Sequence, residues 1–318
     1  MARPAAWQSR AVTLMSIPSP GSDSLNIGSL ELRAYGLMIA LGVLAAAWLF
    51  HRRFVQRGHS PELAGSITVW AVIAGLIGSR IYHVITDWKT YQGNWGEVWQ
   101  IWEGGLGITG GVVAAAAVIW VYARQKGIPM SKIADSAAPA LPLGQAIGRW
   151  GNWFNQELYG RPTDLPWALE IDPENRRFQY LNDETFHPTF LYECIWNLAL
   201  VGALLWAGKR FTLKPGRLFG LYVLGYSLGR LWIEFIRVDY ASELAGVRVN
   251  IWVMLALILG SAAYLLYGRG GDGEEESEEE APEDPSSDEL TPESDEPTPD
   301  ADEPVSDEPV AENVSLET

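Results

Sequence analysis

Gly148-Arg149-Trp150-Gly151-Asn152-Trp153-Phe154-Asn155-Gln156-Glu157-Leu158-Tyr159-Gly160 lies where an apolar run gives way to a polar loop. It sets a guanidinium, carboxamides and a carboxylate at the end of a segment that otherwise reads as hydrocarbon. An arginine in such a setting costs about 2.5–3.5 kcal/mol on insertion scales, so one retained there binds or moves something charged. Arg80 and the pair Arg230 and Glu234 stand in two further apolar segments. A simple membrane anchor needs none of them.

Working outward, seven segments approach the roughly 20 apolar residues that cross a bilayer. They run over residues 32–50, 66–85, 107–122, 133–154, 189–207, 218–235 and 251–267. The first, third, fifth and seventh are strongly apolar. The other three are interrupted by Gly, Pro and charge, as in helices shielded by neighbours. The expected fold is an all-α integral membrane protein with seven transmembrane helices. Basic residues follow span one (Arg52, Arg53, Arg57), span three (Arg124, Lys126, Lys132) and span five (Lys209, Arg210, Lys214, Arg217). Positive charge inside puts the N-terminus outside and the C-terminus in the cytoplasm. Residues 155–187 are then external, a small extracytoplasmic cap with a strand or two. The organisation read from the chain is an outer N-terminal segment, 1–26, a seven-helix domain, 27–267, and a tail, 268–318.

That tail accounts for most of the net charge of -16. Residues 272–318 hold 21 of the 39 acidic residues and no Lys or Arg, leaving 18 acids against 23 bases elsewhere. One-sided charge with low hydropathy buries too little apolar surface to offset chain entropy, which predicts a disordered acidic tail. The single cysteine, Cys194, cannot form an internal disulfide and reads as a small buried hydrophobe. Only a weak apolar run follows Arg10, so no cleaved signal peptide is expected.

Along unbroken helices, at 1.5 Å per residue, Arg149 lies about 24 Å from the cytoplasmic start of span four. Arg230 lies about 18 Å along span six and Arg80 about 20 Å along span two. Tyr35 enters span one from outside. All four converge on the outer half of the bilayer and form a candidate site. Arg230, Glu234 and Arg237 share a helix stripe at i, i+4 and i+7; an ion pair locking span six to a neighbour is the plain alternative. Arg149 and Asn152 are one turn apart and lead into Asn155 and Glu157, a donor set suited to phosphate. His83 and Asp87, nearer the surface, read as structural. Gly225-Tyr226-Ser227-Leu228-Gly229 fits the pattern of a nucleophile elbow but sits in an apolar helix, where it serves packing. The glycine-rich run 104–111 lacks the lysine of a nucleotide loop and reads as a flexible entry to span three. The four histidines show no metal-ligand spacing, and neither a metal nor an organic cofactor is expected.

With these residues in view, the chain resembles the bacterial prolipoprotein diacylglyceryl transferase family over roughly residues 27–267. The segment 148–160 reads as that family's signature. Tyr35-Gly36-Leu37-Met38, Gly78-Ser79-Arg80, His187-Pro188-Thr189-Phe190-Leu191-Tyr192-Glu193, and Gly229-Arg230 with Glu234-Phe235-Ile236-Arg237 support it. The resemblance implies a multi-pass enzyme of the bacterial cell membrane. Its expected partners are phosphatidylglycerol, lipobox-containing prolipoproteins and membrane lipid, with no nucleic acid. The implied reaction moves a diacylglyceryl group to the lipobox cysteine and releases glycerol phosphate. Arg149, with Asn152, Gly160 and Arg80, would bind phosphatidylglycerol. Tyr35, Arg230, Glu234 and Glu157 would be the catalytic members of the cavity. Thr109 stands where many relatives carry histidine, so a histidine base is not available at that position.

The bottom-up chemistry agrees with that reaction. A thiol must lose its proton to become the nucleophile. A phosphate leaving group needs fixed cations in a dry site. Arg149 and Arg230 are expected to share that load, with Glu157 or Glu234 helping to take the proton and Tyr35 as relay. The rival readings are a transporter or channel for an anionic solute, a seven-helix receptor, and an intramembrane protease built on Ser227.

Overall fold

Capping and proline chemistry set several of the helix limits. The computed structural model describes residues 16–27, 30–101 and 104–268. A hairpin of β1 (Ser24–Ile27) and β2 (Leu30–Arg33) runs straight into α1 (Ala34–Gln56). Helix α2 (Pro61–Thr86) starts at Ser60, whose hydroxyl accepts the Leu63 N–H, and Pro61 opens its first turn. Then follow α3 (Ile108–Gln125), the short α4 (Met130–Ala137) and α5 (Ala140–Phe154). Strands β3 (Leu169–Glu170) and β4 (Thr185–Phe186) precede α6 (Thr189–Arg210) and α7 (Arg217–Ile236). A last hairpin, β5 (Glu243–Leu244) and β6 (Val247–Arg248), leads into α8 (Val249–Tyr267).

Five helices, α1, α2, α3, α6 and α8, are long and apolar enough to cross a membrane. They turn large apolar side chains outward: Leu44, Val112, Val113 and Leu259 are each at least 63% exposed. Such a surface is tolerable facing lipid and costly facing water. The fourth expected crossing is not one helix. Pro139 and Pro142 have no N–H to give to residues four back, so the ladder breaks at residues 138–139, between α4 and α5. The depth of about 24 Å assumed an unbroken helix, so it does not describe Arg149. Helix α7 has 20 residues and carries Arg217, Arg230 and Glu234.

Helix α2 packs along α3, α1 along α5, and α5 to α8 pack in chain order. Glycines allow the closest of these contacts. A Cβ at Gly42 of α1 would stand 2.7 Å from the Gly144 carbonyl oxygen of α5, and one at Gly78 of α2 would stand 2.6 Å from that of Gly110 in α3. Small residues let backbones approach where lipid removes the hydrophobic drive between helices. The run 104–111 is therefore a packing surface as well as an entry. The same holds for the false elbow: Gly225 and Gly229 meet Leu200 and Trp196 of α6, and Ser227 is fully buried in a continuous helix.

Between α5 and α6, β3 pairs with β4 in antiparallel register, Leu169 with Phe186 and Glu170 with Thr185. Tyr159, Leu169, Ile171, Phe186 and Phe190 form one buried apolar cluster there. Residues 1–15, which include most of the expected N-terminal segment, and the acidic tail from residue 269 lie outside the described residues.

Candidate active site

Helix α5 ends in a Schellman turn, and that turn builds the first half of the site. The Gln156 N–H donates to the Trp153 carbonyl and the Glu157 N–H to that of Asn152, at 3.1 and 3.0 Å. Gln156 takes the left-handed position usually given to glycine (φ 50°), and Leu158 repeats it (φ 58°). The Gln156 side chain fixes this conformation by bonding both the backbone N–H and the carboxylate of Asp172. The turn brings Glu157 back onto its own helix. Asn152 Nδ2 donates to Glu157 Oε1 at 2.8 Å, and Arg149 Nη1 donates to Asn152 Oδ1 at 3.3 Å. Tyr35, at the start of α1, lies against Gly151, where a Cβ would come within 2.7 Å of its ring. It is within electrostatic reach of Glu157 and Arg149.

The second half comes from α6, α7 and α8. Arg149 Nη2 and Glu193 Oε2 of α6 are 2.6 Å apart, and Glu193 Oε1 is 4.0 Å from Arg230 Nη1 of α7. Arg230 Nη2 pairs with Glu234 Oε2 at 2.6 Å. Glu234 Oε1 in turn meets Arg248 Nε at 3.0 Å and Asn250 Nδ2 at 3.2 Å. Arg248 also donates to the backbone carbonyls of Glu234, Arg237 and Asp239, closing the open end of α7. A chain of alternating charge thus runs from Glu157 through Asn152, Arg149, Glu193, Arg230 and Glu234 to Arg248. The Glu234 side chain has no exposed surface, and that of Glu193 is 6% exposed. Carboxylates this deep persist as ions only beside fixed cations.

Arg149, Asn152, Glu157, Tyr35, Arg230 and Glu234 are therefore brought to one place, as their residue types implied. Gly160 lies where three segments cross. Its N–H donates to the His187 carbonyl, and a Cβ there would stand 2.7 Å from both His187 Cβ and Ile236 Cγ2. Arg237 departs from the expected stripe. The helix ends at Ile236, so Arg237 turns away and pairs with Asp239 at 2.6 Å. Burial alone would raise the Asp239 carboxyl, but Arg237 and Arg248 outweigh it and hold it below the usual carboxylate range. His83 and Asp87 pair with each other at 3.2 Å at the end of α2.

Arg80, expected to bind lipid, is engaged by backbone carbonyls. Its guanidinium donates to the backbone carbonyls of Glu97, Val98, Gln100, Gly104 and Gly105, and it stacks at 5.5 Å on Tyr91. All five donors of an arginine have work there, tying the 88–105 link to α2. Arg80→Ala is expected to lower the unfolding temperature in detergent, with at least about 2 kcal/mol lost because several buried carbonyls lose their donor. The Michaelis constant for lipid should change little in the molecules that remain folded. A selective rise in that constant at unchanged stability would make Arg80 a lipid ligand after all.

Residues missed in the sequence reading are Arg248 and Asn250, which enter from the start of α8, and the role of Glu193. Glu193 was visible as the last residue of the His187-to-Glu193 motif. Its place as the fifth residue of an apolar helix that starts at Thr189 was the available signal. Cys194, beside it, is buried and free, as expected of a small hydrophobe.

The family model described as prolipoprotein diacylglyceryl transferase matches residues 23–267. The chain is similar to phosphatidylglycerol–prolipoprotein diacylglyceryl transferase 2 of Streptomyces coelicolor, with 48% identity over 256 residues, 80% of this chain and 81% of that protein. A similarly named protein of Frankia alni is 49% identical over 257 residues, 80% of this chain and 68% of its own length. Another, from Cutibacterium acnes, is 46% identical over 271 residues, covering 84% and 92%. The match takes in every element from β1 to α8 and all residues of the charge chain, and with it this chain belongs to the prolipoprotein diacylglyceryl transferase family.

Proposed function

We propose that the protein transfers the diacylglyceryl group of phosphatidylglycerol to the lipobox cysteine of a prolipoprotein. A thioether forms and glycerol phosphate leaves. The observation that carries this reading is the pair of arginines from two helices, Arg149 and Arg230, meeting over one buried carboxylate within a family whose relatives are named for that transfer. A phosphodiester presents the same charge as that carboxylate, and guanidinium groups suit both. Arg149 and Arg230 hold the phosphate and take up the charge that grows on the leaving oxygen. Asn152 orients Arg149, and Glu157 orients Asn152. Gly160 shapes the wall rather than touching lipid, and Tyr35 closes the side nearest Gly151.

Of the two carboxylates first considered as base, Glu234 is bound by Arg230, Arg248 and Asn250 and is better suited to hold Arg230 in place. The topology we favour keeps seven crossings, with α4 and α5 counted as one broken crossing and α7 shielded by α6 and α8. The N-terminus is then extracytoplasmic, the β3–β4 segment forms an outer cap, and the C-terminus is in the cytoplasm of a bacterial cell. An anion transporter gains no support from the relatives. The purified protein, given phosphatidylglycerol and a lipobox peptide, should add the diacylglyceryl mass to the peptide and release one glycerol phosphate per peptide. A peptide of unchanged mass beside intact lipid would refute the assignment.

A further inference from the structure

A hollow beside Arg230 is lined by Glu193, Asn197, Trp196, Tyr226, Gly229 and Ile233. Its size, about 10 Å³, admits roughly one water molecule. A phosphodiester group cannot enter without something leaving. Among the described residues, two polar atoms on the wall have no hydrogen-bond partner, Arg230 Nη1 and Asn197 Oδ1, although the Arg230 side chain is only 10% exposed and Asn197 only 2%. A buried guanidinium N–H without an acceptor is costly. The nearest carboxylate oxygen, on Glu193, stops 4.0 Å short of it. The same carboxylate reaches Arg149 at 2.6 Å, so one anion is stretched between two cations and satisfies only one of them.

We infer that Glu193 is a counter-ion that the lipid phosphate displaces, and that the displaced carboxylate takes the proton of the lipobox thiol. The inference rests on the transferase reading above and adds to it the group that takes the thiol proton. A phosphate oxygen can satisfy Arg149 and the free Nη1 of Arg230 together, which Glu193 cannot. Once the arginines turn to phosphate, Glu193 loses its compensating cations inside a dry pocket. A carboxylate so placed is a stronger base. The thiol proton passes to Glu193, and the thiolate attacks the glycerol carbon that bears the phosphate ester. The carbon–sulfur bond forms as the carbon–oxygen bond breaks, and its electron pair leaves with glycerol phosphate. That product then takes the proton from Glu193, which returns to Arg149. Lipid binding thereby arms the base. Glu157 is less suited, because its Oε1 is already taken by Asn152 and Asn155 and it stands outside the hollow.

The test is steady-state transfer by the purified full chain, with phosphatidylglycerol vesicles and a lipobox peptide, comparing the wild type with Glu193→Gln and Glu193→Asp. Glutamine keeps the shape, removes the competing charge and cannot take the proton. Its turnover should fall 100-fold or more, the usual range for a lost general base. The Michaelis constant for phosphatidylglycerol should stay equal or fall. Aspartate should keep at least tenfold more turnover than glutamine. Turnover of Glu193→Gln within threefold of wild type, or a tenfold rise in its Michaelis constant for lipid, would overturn the role. Should Glu193→Gln fail to fold, Glu193→Asp decides. Its shorter arm holds Arg149 less well, so a lower Michaelis constant with reduced turnover supports the role, and unchanged values of both overturn it. A wild-type chain that forms no thioether would instead overturn the reaction itself.

Discussion

Arg149→Ala is expected to lower the second-order rate constant for diacylglyceryl transfer by about two to three orders of magnitude. Removing one fixed donor aimed at developing charge costs about 2.7–4 kcal/mol of transition-state stabilisation, and each 1.36 kcal/mol is a factor of ten in rate. The substitution acts twice. It removes a cation from the expected path of the phosphate, and it leaves Glu193 with only the Arg230 contact at 4.0 Å. Asn152 loses the donor that fills its carbonyl, so the link to Glu157 loosens as well. Lysine is a poor replacement, since one ammonium cannot face Glu193 and Asn152 as a planar fork does. Arg230→Ala should give a loss of similar size in turnover. Its structural damage should be smaller than that of a lost carboxylate at the centre, because Glu234 keeps Arg248 and Asn250. Insertion into the membrane depends on the apolar faces of the helices, so both variants should still accumulate there. Near-normal turnover by both purified variants would remove these arginines from the mechanism.

Glu234→Ala should be the most destabilising single change in the site, by about 3–5 kcal/mol, because it leaves Arg230 and Arg248 buried without their shared anion. Glu234 has no exposed side-chain surface and joins α7 to the start of α8. Thermal unfolding in detergent should fall steeply, and activity should be lost along with the folded protein. Glu234→Gln keeps an acceptor for one arginine and should fall between wild type and alanine. If Glu234→Ala instead unfolded at the wild-type temperature and lost only turnover, Glu234 would be a chemical participant rather than the clasp of these two helices.

Much of this site was readable before any coordinates. The cost of charge in hydrocarbon singled out Arg149, Arg230 and Glu234, and all three lie in one cluster with Tyr35, Asn152 and Glu157. The i, i+4 spacing of Arg230 and Glu234 correctly implied a contact, since both lie on one helix. The same spacing argument failed for Arg237, because periodicity does not tell where a helix ends and α7 stops one residue earlier. It failed for span four because two prolines break the ladder, although both were visible in the chain.

Periodicity along one helix tells which residues share a face of it, and hydropathy tells which stretches suit lipid. These properties belong to a single segment, and so the helices, the signature and the charges set in apolar segments could be read in advance. Which faces meet depends on where glycines let backbones touch, as Gly42 meets Gly144 and Gly78 meets Gly110. Those contacts join residues far apart in the chain, and no local pattern encodes them. Likewise, the sequence carried no sign that Arg80 donates to backbone carbonyls of the link that follows its helix. For the same reason Glu193 emerged as the anion held between Arg149 and Arg230: a carboxylate's partners are set by the helices packed against it, and those came from folding.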